Sequence, residues 1–251
     1  MRTLVACWRI GCVTRLLVAG MLRCGFIFPF VTPAERLRQT GRWCAQMARA
    51  LGVTVQASGT RHPGPVLLVA NHISWIDILA INAVHPARFV SKADVRHWPV
   101  LGWLVGCGGT LFLERERKRD ALRVVHQTAE ALGRGDTIAL FPEGTTGDGN
   151  ALLPFHANLL QAAIAGGVAV QPIALRYTDA ESAPSRAVTW VNDETLAGSF
   201  WKVVRARGLQ VQLTQLDPIA TAGRERRELA GQTRERIAGA LGHAPSAHGG
   251  H

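Results

Sequence analysis

Beyond residue 52 the chain is built from short apolar, β-branched runs that alternate with helical stretches, and this alternation limits its fold more than any other feature. The runs are VTVQA (53–57), VLLVA (66–70), RFVS (88–91), TLFL (110–113), TIALF (137–141), VAVQPIALRY (168–177) and LQVQLTQL (209–216). Helical patterns fill 75–84, 99–106, 117–133, 156–165 and 223–241. Strands separated by helices predict an α/β, mixed α+β layered domain with a central, mostly parallel sheet flanked by helices. The uninterrupted runs 66–70 and 137–141 read as central strands covered on both faces. With 47% apolar residues a chain of 251 can fill such a core, which excludes wholesale disorder.

The first 51 residues differ from this body. They hold eight arginines against the single acid Glu35, so +7 of the chain's formal +10 sits there. Residues 3–31 are apolar yet interrupted by Arg9, Arg15 and Arg23, and no small-residue cleavage site follows. A helix of this length reaches across a bilayer, but Arg15 would then sit near the centre at a cost of about 2.5–3.5 kcal/mol. On a helical wheel Arg2, Arg9, Arg15 and Arg23 fall within about 140° of arc, the pattern of a helix lying in the interface with its arginines among lipid phosphates. A single span stays open. Pro33 then opens a second helix over 34–51 that Gly52 ends. The expected organisation is a membrane-associated helical pair (1–52), a globular body (53–242) and a disordered tail (243–251).

Basic charge admits nucleic acid, an anionic membrane or an acidic protein as partner. Nucleic acid is disfavoured, because the arginines are interleaved with Leu, Val, Ile, Phe and Trp, and one Tyr offers little stacking surface. Five cysteines form no CxxC pair and no cluster with metal spacing, so the expectation is reduced thiols in a cytosol-facing protein and no metal. GxSxG, Walker A and GxGxxG motifs are absent from the sequence, which removes the main support for a serine hydrolase, a P-loop NTPase or a Rossmann dehydrogenase.

Three segments could carry chemistry. Asn71-His72-Ile73-Ser74-Trp75-Ile76-Asp77 follows the strand VLLVA, so His72 stands at a strand's C-terminal end, where α/β folds place ligands. His72 in the turn and Asp77 in the next helical turn can meet, and a carboxylate on one imidazole nitrogen leaves the other free to take a proton. Ser74-x-x-Asp77 also scans as a helix capping box, and both readings stand. The second segment, Phe141-Pro142-Glu143-Gly144-Thr145-Thr146-Gly147-Asp148-Gly149, is either a polar-headgroup loop or a plain turn. In the third, Gly108-Gly109-Thr110-Leu111-Phe112-Leu113-Glu114-Arg115, an arginine suited to phosphate ends a strand.

In this order the segments resemble the glycerolipid, or lysophospholipid, acyltransferase family. His72-x4-Asp77 is similar to its first block. Phe89-Val90-Ser91-Lys92 with Trp98-Pro99 and Gly102 is similar to the stretch before its second block, and Gly109–Arg115 to that block. Phe141-Pro142-Glu143-Gly144-Thr145 and Val170-Gln171-Pro172-Ile173 are similar to the third and fourth. The resemblance implies transfer of a fatty acyl group from an acyl carrier protein or coenzyme A thioester to the hydroxyl of a lyso-lipid, without a resident cofactor. It implies His72 as general base and Asp77 as its holder. It also makes Glu143, Gly144, Thr145 and Thr146 acceptor-pocket residues, with Arg115 on an anionic headgroup and Lys92 as a helper. Many members that use a glycerol phosphate acceptor have Arg where this chain has Thr146, and the Thr-Thr-x-Asp-Gly form resembles the lyso-ornithine-lipid subgroup. Arg115 or Arg176 could replace the missing charge, so both acceptors stay open. The expected location is the cytoplasmic face of the cell (inner) membrane, with anionic lipids as partners.

Overall fold

The structure is a computed structural model that describes residues 2–113, 118–191 and 194–243. Arg115 and the tail beyond residue 243 lie outside the described residues. All seven expected strands form: β1 (Thr54–Gly59), β2 (Val66–Ala70), β3 (Arg88–Lys92), β4 (Leu111–Leu113), β5 (Ile138–Leu140), β6 (Ala169–Thr178) and β7 (Gln210–Gln215). They make one sheet in the order β1-β7-β6-β2-β5-β3-β4. Every pairing is parallel except β6 with β7. The sheet is therefore mostly parallel, as the alternation predicts.

The helices are α1 (Arg2–Phe26), α2 (Pro33–Leu51), α3 (Ile76–Val84), α4 (Leu101–Cys107), α5 (Lys118–Gly133), α6 (Gln161–Ala165), α7 (Leu196–Arg205) and α8 (Arg226–Leu241). Strand alternation decides which helices each face receives. In β2, Val66, Leu68 and Ala70 point into a core shared with α1, α2, α3 and α7. Leu67 and Val69 point the other way, among residues of α5, α6 and α8. Every residue of β2 and β5 is buried, which accounts for their uninterrupted apolar runs.

Helix α2 begins as the sequence indicates. Thr32 caps it by accepting from the Glu35 N–H at 3.2 Å, and Gly52 ends it at φ 82° in the left-handed region. Gly41 lets α2 approach α3 closely, since a Cβ there would lie 2.6 Å from Pro86 Cγ and 2.9 Å from the Asn82 carbonyl oxygen. Cys44, Met47, Ala48 and Leu51 of α2 join the main core beside Ile76 and Ile81 of α3. The basic N-terminal pair is thus packed into the body rather than tethered to it.

Helix α1 has two apolar faces. Ala6 and Val13 are buried against the body, and Trp43 of α2 donates its indole N–H to the Leu16 carbonyl at 2.9 Å. On the opposite side Leu4, Trp8, Leu22 and Phe26 are exposed, Trp8 by 66% and Phe26 by 73%. Thr3–Phe26 is long and apolar enough to cross a membrane. Arg9 departs from the expectation that the arginines of this segment face lipid. Its guanidinium donates to the carbonyls of Val204 at 2.9 Å and Ala206 at 2.8 Å, filling the free acceptors at the end of α7. Helix α7 itself is missing from the sequence reading, although Thr195 caps it by accepting from the Gly198 N–H at 3.1 Å. Its apolar residues Leu196, Phe200, Val203 and Val204 follow helical spacing.

Candidate active site

The site grows out of the C-terminal end of β2, the strand between β6 and β5. Asn71, just past that strand, closes the gap to β6: its amide donates to the Leu175 carbonyl at 3.0 Å and its Oδ1 accepts from the Leu175 N–H at 2.8 Å. The chain then turns, and His72 leaves the sheet next to the start of α3. Its Nδ1 lies 2.8 Å from Asp77 Oδ2, so the two side chains meet across the turn as the spacing allows.

Asp77 is wholly buried, and only donors converge on it. Oδ2 accepts from the N–H groups of Ile73 at 2.7 Å and Ser74 at 2.9 Å besides His72, while Oδ1 accepts from the Tyr177 hydroxyl at 2.7 Å. A carboxylate suits this set, being acceptor only. The proton shared with His72 therefore sits on Nδ1, leaving the Nε2 lone pair available. The capping-box reading and the catalytic reading turn out to be compatible. Asp77 does cap the turn through the Ser74 N–H, and the same oxygen orients the imidazole. The reciprocal half of the box is not made, because Ser74 Oγ is buried without a hydrogen-bond partner among the described residues.

The imidazole plane is fixed by a neighbour as well. Phe141 stacks on it with ring centroids 3.9 Å apart and planes 9° from parallel. The His72 side chain keeps 19% of its surface open, which gives a reactant access to it.

Glu143 is placed differently from an open pocket residue. Its Oε1 accepts from the His72 N–H at 2.8 Å and its Oε2 from the Leu153 N–H at 2.9 Å, and the residue is only 5% exposed. Burial pushes this carboxyl above its ordinary range, while the two N–H groups pull it back. Glu143 thus ties the backbone of the His72 turn to the segment after the glycine-rich loop. Gly144 is buried at φ 73°, a left-handed conformation suited to glycine, and its N–H donates to the Phe141 carbonyl at 3.1 Å. Gly147 donates its N–H to the His72 carbonyl at 2.8 Å, so the loop also closes over the turn. Thr145 is exposed. The Thr146 hydroxyl donates to the Trp190 carbonyl.

Lys92 is exposed at the end of β3 and no hydrogen bond links it to the His72 turn. Arg176 does not reach this site. On β6 it alternates with Leu175 and Tyr177, points to the opposite face and donates to the Leu241 carbonyl at the end of α8. Tyr177, fully buried on the α3 face, is the site residue absent from the sequence reading. Its signal was available, since the chain's single tyrosine ends a strand in parity with Ile173 and Leu175.

Comparison with known proteins agrees with this architecture. A family model described as Acyltransferase matches residues 52–176. The chain is 39% identical over 211 residues to the lyso-ornithine lipid O-acyltransferase of Pseudomonas aeruginosa, covering 84% of this chain and 81% of that protein. It is 38% identical over 169 residues to the 1-acyl-sn-glycerol-3-phosphate acyltransferase of Neisseria gonorrhoeae, covering 67% of this chain and 66% of that protein. In fold it is similar to the crystal structure of the 1-acyl-sn-glycerophosphate acyltransferase from Thermotoga maritima. The TM-score is 0.73 at 20% identity, over 96% of this chain and 97% of that one.

Proposed function

Because the chain belongs to the acyltransferase family, we propose that it moves a fatty acyl group from a thioester to the free hydroxyl of a lyso-lipid, with His72 as general base. The observation that carries this reading is the contact of His72 Nδ1 with buried Asp77 at 2.8 Å. With its proton held on Nδ1, the imidazole accepts the hydroxyl proton at Nε2 as the oxygen attacks the thioester carbonyl. The oxygen–acyl bond forms, the carbon–sulfur bond breaks, and the thiolate departs with the proton from the imidazolium. Asp77 stabilises that transient cation. No acyl-enzyme is needed, so no cysteine serves as nucleophile. Acyl carrier protein or coenzyme A carries the acyl group in, and no resident cofactor takes part.

The acceptor is of the 1-acylglycerol-3-phosphate type or a lyso-ornithine lipid. One observation favours the second. Position 146 carries a threonine whose hydroxyl is engaged with the Trp190 carbonyl, and Arg176 caps α8 on the far face. Among the described residues, neither position supplies a guanidinium to a phosphate. The deciding assay gives the purified full chain each thioester donor with a panel of lyso-lipids. Diacylated product from at least one lyso-lipid is expected. Absence of product from every acceptor, or free fatty acid released at the same rate without any lyso-lipid, would overturn the reading.

A bilayer-borne acceptor requires the catalytic body at the membrane, and the outward apolar face of α1 supports docking of α1 along the cytoplasmic face of the inner membrane. The inner face of the helix is occupied by the body, which argues for lying in the interface over crossing it. Arg15 and Arg23, both exposed, are then near anionic phosphates. Trp8→Asp with Phe26→Asp is expected to lower cosedimentation with phosphatidylglycerol vesicles by about tenfold or more, since each ring buries an amount of surface worth about 1.5–3 kcal/mol. Binding equal to the unaltered protein would rule out this face as the docking surface.

A further inference from the structure

The loops after β5 and β6 both rise at the edge where β2 delivers His72, and β2 lies between those two strands. Between the loops is an open cavity of about 420 Å³, lined by Asp148 and Asn150 from one side and by Ser182, Pro184, Arg186 and Thr189 from the other. Its walls are tied to the catalytic turn. Gly147 donates to the His72 carbonyl at 2.8 Å, Trp190 donates to the Ile73 carbonyl at 3.4 Å, and Thr146 joins the two loops through the Trp190 carbonyl. Gly149, between the lining residues Asp148 and Asn150, packs against both the turn and the opposite wall, since a Cβ there would stand 3.5 Å from Ile73 Cδ1 and from Pro184 Cβ.

Among the described residues, the two charged side chains lining this cavity have opposite signs. Asp148 accepts from the Asn150 N–H at 2.9 Å and from its amide at 2.8 Å, which holds the carboxyl below its ordinary range and so ionised at neutral pH. The Arg186 backbone N–H donates to Ser182 Oγ at 3.1 Å, while its guanidinium makes no ion pair among the described residues. Both side chains are exposed and reach a headgroup from the solvent side.

We propose that this cavity is the acceptor-headgroup subsite and that it selects a zwitterionic amino-acid headgroup, with Arg186 on the carboxylate and Asp148 on the ammonium. The proposal rests on the acyl-transfer reading above and deepens it. A guanidinium fork pairs with a carboxylate, and the carboxylate of Asp148 pairs with a primary ammonium. The same Asp148 repels a phosphate monoester, which carries about −1.5 to −2 charge at neutral pH. Attraction to one headgroup and repulsion of another together make a specificity device.

The test compares kcat/KM for four acceptors: lyso-ornithine lipid, its carboxyl methyl ester, its δ-N-acetyl derivative and 1-acylglycerol-3-phosphate. Full-length protein, Arg186→Gln and Asp148→Asn are each assayed. With the unaltered protein, methylation and acetylation each lower kcat/KM by about tenfold or more, the size of one lost charge-assisted hydrogen bond. In Arg186→Gln methylation costs nothing further, and in Asp148→Asn acetylation costs nothing further. Asp148→Asn also raises kcat/KM on the phosphate acceptor. Methylated, acetylated and free headgroups used equally well by the unaltered protein would overturn the assignment without any variant having to fold. Acylation of the phosphate acceptor alone would overturn it too, leaving acyl transfer intact. Failure on all four acceptors would overturn the acyl-transfer reading itself.

Discussion

Replacing His72 with alanine lowers kcat for acyl transfer by about a hundredfold to ten-thousandfold, the range a positioned general base contributes. The expected loss falls on kcat more than on KM, because Nε2 meets the acceptor hydroxyl only as its proton moves. Folding is not the cause. Asp77 keeps three of its four donors, the Ile73 and Ser74 N–H groups and the Tyr177 hydroxyl, when the imidazole is gone. The thermal midpoint of His72→Ala is therefore expected within a few degrees of the unaltered protein. A variant that kept kcat within a few-fold would remove His72 from the reaction.

Asp77→Asn is expected to cost as much in rate and to cost stability as well. The amide has nearly the shape of the carboxylate, but one of its two ends is a donor. All four groups around Asp77 meet it as donors, so an amide N–H must face a donor or turn to His72 Nδ1. In the second arrangement it accepts on the wrong side of the imidazole. The ring proton moves to Nε2, and the base has no lone pair for the acceptor. A change of this kind lowers kcat by about 10³–10⁴-fold where a buried carboxylate sets the tautomer. In either arrangement a buried donor loses its acceptor, the Tyr177 hydroxyl in the first and the Ile73 and Ser74 N–H groups in the second, at about 1–3 kcal/mol. Kinetics and melting together separate the residues. Both variants lose kcat, and Asp77→Asn alone melts clearly lower. Near-normal kcat in Asp77→Asn would show that the carboxylate does not set the tautomer.

Strand parity explains much of what was and was not legible in the sequence. The seven strands are visible because each is a short apolar run between helices, and their order in the sheet is not, because pairing depends on contacts far apart in the chain. Arg176 and Tyr177 are adjacent in sequence, yet parity alone sends Arg176 to α8 and Tyr177 to Asp77. Counting alternation from buried Ile173 and Leu175 would have excluded the arginine from the catalytic face and raised the tyrosine as a candidate. Arg9 misled for a related reason. A helical wheel gives its angle but not the end of α7 that it meets. The resemblance implies Glu143 as an acceptor-pocket residue, but its bonds to two backbone N–H groups depend on how two loops pass each other, which spacing does not encode.

Chemical rescue shows whether a neutral imidazole at position 72 takes the acceptor proton. The measurement is the rate of lyso-lipid acylation by His72→Gly, read with and without added imidazole over a range of pH. The basal rate is expected to be lost as in His72→Ala and to return as the concentration of unprotonated imidazole rises, since Phe141 still offers the face on which the ring stacked. A basal rate in His72→Gly close to that of the unaltered protein, indifferent to imidazole, would contradict that role of the imidazole.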